Sequence, residues 1–221
     1  MTDLMEKVRV IYEDNHLLAV EKPVNILSQA DNTNDPDMLT ILKKYIKEKY
    51  QKPGEVYLGL VHRLDRPVGG VMVFARTSKA ASRLSEEIRT RKFKKVYTAL
   101  VHGIIKEKTG TLRNFLYKDE KTNMVEVVTN TDPRGKEAVL DYEVIEYRGN
   151  MSVVRVNLHT GRPHQIRVQF SNIGHPLFGD QRYGKAVNIT GEQIHLWSSE
   201  ITLTHPTTRE TMTFTSKPTW L

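Results

Sequence analysis

Short runs of branched apolar residues at 8–12 and 17–20 read as two strands. Residues 28–38 are rich in Asp and Asn and read as a loop. Across 39–50, Leu42, Tyr45 and Ile46 fall at helical spacing with lysines on the other face, which predicts an amphipathic helix. A turn carrying Pro53-Gly54 follows at 51–55. Apolar segments at 56–61 and 71–75 then flank the polar group His62-Arg63-Leu64-Asp65-Arg66. Thr77 or Ser78 can cap a helix in which Ala80, Leu84 and Ile88 recur every four residues.

Beyond the basic stretch 89–95, the pattern turns mostly to strands, at 96–101, 125–128, 138–147 and 151–158, with turns at 132–135 and 148–150. Val154, Val156 and Leu158 alternate with Arg155 and Asn157, the mark of a half-buried strand. Pro163 suits the first turn of a helix and Gly174 its end, with Ile166, Phe170 and Ile173 as its apolar face. Strands at 201–204 and 211–214 close the chain. The expected class is α+β with mainly antiparallel pairing. No linker separates independent domains, so residues 1–221 are expected to form one domain of two lobes with a midpoint near 103–110.

Composition narrows the function. No apolar run approaches the roughly 18 residues that span a bilayer. The charged N-terminus lacks the apolar centre of a signal peptide, so the expected location is the cytoplasm, away from membranes. The absence of cysteine excludes disulfides, thiolate nucleophiles and Cys-based zinc sites. Lys and Arg number 33 against 26 acids, a net charge of +7 that favours a polyanionic partner, nucleic acid first. His159 and His164 lack partners at metal-ligand spacing, and there is no Walker or dinucleotide loop. No metal or cofactor is expected.

Three constellations could carry chemistry. In residues 62–66, arginines flank Asp65 and would stabilise its ionised form, which can serve as nucleophile or general base. Local composition alone fits an ordinary surface ion-pair cluster better. Residues 161–167 (GRPHQIR) open a helix, and a helix N-terminus with Arg162 and Arg167 could meet a phosphate or the Asp65 carboxylate. A capped helix with solvated arginines is an equal reading. Residues 89–97 (RTRKFKKVY) interleave basic residues with aromatics, as in a nucleic-acid groove, although a solvated helix end is at least as common.

Taken together and in order, these strings resemble the RluA family of pseudouridine synthases. The resemblance runs from Glu21-Lys22-Pro23 through His62-Arg63-Leu64-Asp65 and Lys95-Val96-Tyr97 to Gly161–Val168 (GRPHQIRV). It continues into Gly174-His175-Pro176, Gly179-Asp180-Gln181-Arg182-Tyr183-Gly184 and His205-Pro206. Departures are Val68-Gly69-Gly70 where the family usually has Thr-Ser-Gly, Pro163 where it has Thr, and Gln169 where it often has His.

The resemblance implies a pseudouridine synthase fold, with a long mixed or antiparallel sheet flanked by helices and a central RNA-binding cleft. It implies Asp65 as the catalytic residue with Arg167 as its ion-pair partner. Arg63 would fill the space of the flipped base, Tyr97 would pack on the uracil, and Ile166 would form an apolar wall. Lys22, Arg66, Arg91, Lys92, Lys94, Lys95 and Arg162 are candidate phosphate contacts. Asp180 looks like part of a structural turn. The partner would be ribosomal or transfer RNA and the protein a monomer. A catalytically silent RNA-binding or ribosome-assembly module is the alternative, against which the intact Asp65, Tyr97 and Arg167 argue.

Overall fold

The computed structural model describes residues 2–221, with side chains from residue 4 onward. The chain forms two units, one of residues up to 94 with 198–219 and 221, the other of residues 95–197 with 220. The first change of unit along the chain falls at Lys94/Lys95, ahead of the midpoint expected at 103–110. The glycine-marked stretch that suggested it is a turn inside the second unit, where the Gly103 N–H donates to Asn150 O at 2.9 Å.

In the first unit, strands β1 (Arg9–Glu13), β2 (Leu17–Lys22), β4 (Gly69–Ala75) and β10 (Leu196–Thr204, from Ser198 on) are neighbours in that order. Strand β3 (Gly59–Leu60) pairs with β4, and β11 (Thr211–Thr215) with β10. The apolar run expected at 56–61 yields only those two strand residues. Every residue of β4 is buried, as befits a continuous apolar run covered on both faces. One face packs Leu17, Ala19, Val71, Val73 and Ala75 with Ala80 and Leu84 of helix α3 (Ser78–Arg89). The side-chain period of two sends Leu18, Val20, Met72 and Phe74, also buried, to the other face. Helix α2 (Met38–Lys49) buries Met38, Ile41, Leu42 and Ile46. Both helices begin where a side chain satisfies an orphan N–H: Asp37 accepts from Thr40 N, and Thr77 from Ala80 N. A four-residue helix, α1 (Thr2–Met5), precedes β1.

In the second unit the strand order is β5 (Lys94–His102), β9 (Met151–Leu158), β8 (Lys136–Tyr147), β6 (Thr109–Asp119), β7 (Met124–Val128), with every pair antiparallel. Helix α4 (Gln165–Asn172) packs on β6 and β7, and Val168 joins Leu116, Val125 and Ala138 in a core cluster. Among the described residues, no helix is long and apolar enough to cross a membrane.

Candidate active site

The loop bearing Asp65 is clamped from beneath by three polar side chains. Lys22, at the end of β2, is fully buried and its Nζ donates to the carbonyls of Val68 (2.7 Å), Pro23 (3.0 Å) and Arg66 (3.0 Å). Burial pushes this amine down to about 7, with the charge of Asp65 opposing the shift and that of Arg66 adding to it. The Ser28 hydroxyl accepts the Leu64 N–H at 3.1 Å and donates to the Leu64 carbonyl at 2.8 Å. His62 Nε2 accepts the Val73 N–H at 3.0 Å, so that nitrogen carries no proton. The turn closes when Val68 N–H donates to Asp65 O at 2.9 Å.

The consequence is an alternation along the motif. His62 and Leu64 are buried, Arg63 is exposed, Asp65 is half-buried and Arg66 is exposed. Gly70 must be glycine, because its φ is +114° and a Cβ would lie 2.3 Å from Ser198 O. The departure at Val68 is a buried side chain whose carbonyl serves Lys22.

Lys22 was expected at a phosphate. That is corrected: a fully buried amine with three carbonyl acceptors has no face for a phosphate, and it organises the loop instead.

In the second unit Tyr97 lies in the middle of β5, paired with Val156, and is buried. Ile166 and Arg167 lie in the first turn of α4 and are buried as well. Arg167 forms a two-pronged ion pair with Asp180, Nε to Oδ2 and Nη2 to Oδ1, each at 2.8 Å. Asp180 Oδ1 also accepts the N–H groups of Arg182 (3.0 Å) and Tyr183 (3.2 Å). Burial alone would raise the Asp180 carboxyl, but the Arg167 hydrogen bonds and charge outweigh it and hold the group below the ordinary carboxylate range. The turn role expected for Asp180 is present, with the anchoring of Arg167 added to it.

The helix starts later than Pro163 suggests. His164 adopts a left-handed conformation (φ +51°) and stands at the N-cap, so Pro163 lies outside α4. The helix is buried on all sides from Gln165 to Phe170, whereas Ile173, expected on its apolar face, is 39% exposed. Its entry is closed locally: Gln165 N–H donates to Arg162 O at 3.2 Å, and Gln165 Oε1 accepts Arg162 N–H at 3.1 Å. These bonds occupy groups that an anion at the N-terminus would need.

The candidate phosphate contacts separate into two groups. Arg91, Lys92 and Lys94 are exposed at the end of α3 and start of β5. Lys95 is half-buried, with its Nζ 2.9 Å from where a Cβ on Gly161 would stand, and burial lowers its pKa. Arg162 is half-buried and donates Nε to Glu137 O at 2.8 Å; Arg66 is exposed but pairs with Asp35 at 2.6 Å. Ser28 and the pairing of Asp180 with Arg167 were not anticipated. A lone serine in a polar loop gives no signal. Asp180 gave one, as the only acid in a long specific string containing buried-type residues.

The first unit thus carries a loop clamped around Asp65 by a buried lysine, and the second an arginine anchored by an ion pair at the start of a buried helix. A family model described as RNA pseudouridylate synthase matches residues 16–172. The dual-specificity RNA pseudouridine synthase RluA of Haemophilus influenzae is 33% identical over 213 residues, covering 94% of this chain and 92% of that protein. Ribosomal large subunit pseudouridine synthase D of Nitrosomonas europaea is 34% identical over 212 residues, covering 90% of this chain and 58% of that protein. A solved structure, human RNA Pseudouridylate Synthase Domain Containing 4, superposes with a TM-score of 0.80 at 21% identity, covering 99% of this chain and 91% of that one, and shares the fold. The chain belongs to the RNA pseudouridylate synthase family and is an RNA pseudouridine synthase, an isomerase.

Proposed function

We propose that the chain isomerises uridine to pseudouridine in structured RNA, with Asp65 as nucleophile on a flipped-out nucleotide. The observation that carries this reading is the clamped loop, which fixes the backbone around Asp65 through Lys22, Ser28 and His62 while leaving Arg63 exposed. In the reaction the C1′–N1 bond breaks, the uracil turns, C5 bonds to C1′, the C5 proton leaves to solvent and N1 gains one. No electron is exchanged with an outside acceptor.

In this reading Asp65 attacks C1′ and must be ionised to do so. Arg167, held in place by Asp180, is its proposed ion-pair partner. Extruding the base costs a few kcal/mol of stacking. The Arg63 guanidinium, planar and exposed, offsets part of that by filling the space left behind. Tyr97 packs on the extruded uracil and Ile166 forms the apolar wall of its pocket. Arg91, Lys92 and Lys94 hold phosphates. Ribosomal RNA is the favoured substrate class, supported by the name of the large-subunit relative. Incubation with RNA tritiated at uracil C5 tests the proposal. Isomerisation releases the tritium to water, a silent RNA-binding module releases nothing, and a nucleosidase releases free uracil.

A further inference from the structure

Arg167 is fixed by more than its ion pair. Its guanidinium carbon lies 5.2 Å from the centroid of the Tyr183 ring, within reach of a cation–π interaction. The Tyr183 hydroxyl accepts the Val125 N–H at 3.0 Å and lies 2.7 Å from His164 Nδ1. The hydroxyl therefore bridges the Val125 backbone and the His164 ring. Val125 belongs to the edge strand β7, whose outward N–H would otherwise lack a strand partner. The Tyr183 carbonyl accepts the Ser171 hydroxyl at 2.7 Å, so one tyrosine grips α4 at both ends. His164, at the helix entry, reaches it from a left-handed conformation that few residues adopt without compensation.

We propose that Tyr183 is a positioning residue for the isomerisation: its ring and hydroxyl lock the Arg167 guanidinium so that the edge turned away from Asp180 points in one fixed direction. The ion pair with Asp180 fixes the plane of the fork, and the Tyr183 ring prevents it from rolling out of that plane. The use of that edge rests on the reading of Arg167 as the partner of Asp65; the locking itself does not.

Two measurements on the full chain separate these layers. The first is hydrogen exchange at the Arg167 Nε–H, assigned by its loss in Arg167→Lys. Exchange should quicken by roughly tenfold in Tyr183→Leu, which loses ring and hydroxyl, and less in Tyr183→Phe, which keeps the ring. Unchanged exchange in a folded Tyr183→Leu protein overturns the proposal. The second is the pH profile of single-turnover tritium release. A loosened Arg167 should move the acid limb to higher pH in Tyr183→Leu, with RNA affinity retained. A lower melting temperature and active fraction with a wild-type acid limb would mean structural support only, and the proposal falls. Arg167→Met is the control: an unmoved acid limb there sinks the Asp65–Arg167 reading, while the exchange measurement still judges the lock.

Discussion

Lys22 illustrates how a residue can be correctly singled out and wrongly employed. Its place beside Pro23 marked it in the sequence, and a lysine in a basic chain suggests phosphate. Burial reverses that, because a desolvated amine is retained only where its donors are satisfied. Three carbonyls satisfy it, two of them from the Asp65 loop. Lys22→Met should destabilise the protein by about 2–4 kcal/mol at neutral pH, since three buried acceptors lose their donor while a buried charge is removed. It should also change how stability depends on pH. With a folded pKa near 7 against an ordinary 10.5, the unfolded chain holds a proton between those values that the folded chain has shed, so wild-type stability gains from this group as pH rises. Urea unfolding across that window should show the gain in wild type and its loss in Lys22→Met; parallel profiles would contradict the burial of a titrating amine. Asp65 and Arg63 were singled out because the motif string names them. Ser28 and the Asp180 anchor were not, because each is defined by a partner distant in the chain.

At the scale of elements, strong periodicity carried most of the assignment. Helices α2 and α3 lie where apolar spacing and the Thr77 cap put them, and β4 where the apolar run does. Strand β6 escaped notice because its sequence, TGTLRNFLYKD, mixes charge with half-buried positions and buries only Leu116. An antiparallel strand with so few buried positions writes a weak pattern. The entry of α4 was misplaced by two residues because His164 takes a left-handed conformation at the N-cap, which nothing local in Pro163-His164 signals. The basic segment after α3 divides in a way composition could not reveal: three cations stand in solvent and Lys95 turns against Gly161. Replacing Arg91, Lys92 and Lys94 together with glutamine should lower the slope of log affinity against log salt by about 2, near 0.7 per phosphate lost. Lys95→Gln should change the slope far less. Anisotropy titrations at several salt concentrations measure both, and equal slopes for the triple variant and wild type would remove this segment from the RNA contacts.

For the whole molecule, the order of the motifs identified the family where no single motif could, and the expected α+β class with antiparallel pairing is what the structure has. The division of the chain was less legible. Residues 198–219 return to the first unit after residue 197, and a reading that moves along the sequence has no means to register that return. The proposed chemistry is centred on Asp65, so the most direct measurement replaces its charge and little else. Asp65→Asn keeps the volume and polarity of the side chain, but an amide is neither a competent nucleophile nor a base. RNA binding should persist to within about threefold, because phosphate contacts come from other residues. With enzyme in excess over RNA tritiated at uracil C5, wild-type protein should release the label in a single turnover and folded Asp65→Asn should release none above background. Substantial release by the folded variant would show that another group breaks the C1′–N1 bond and that the clamped loop is not the catalytic centre.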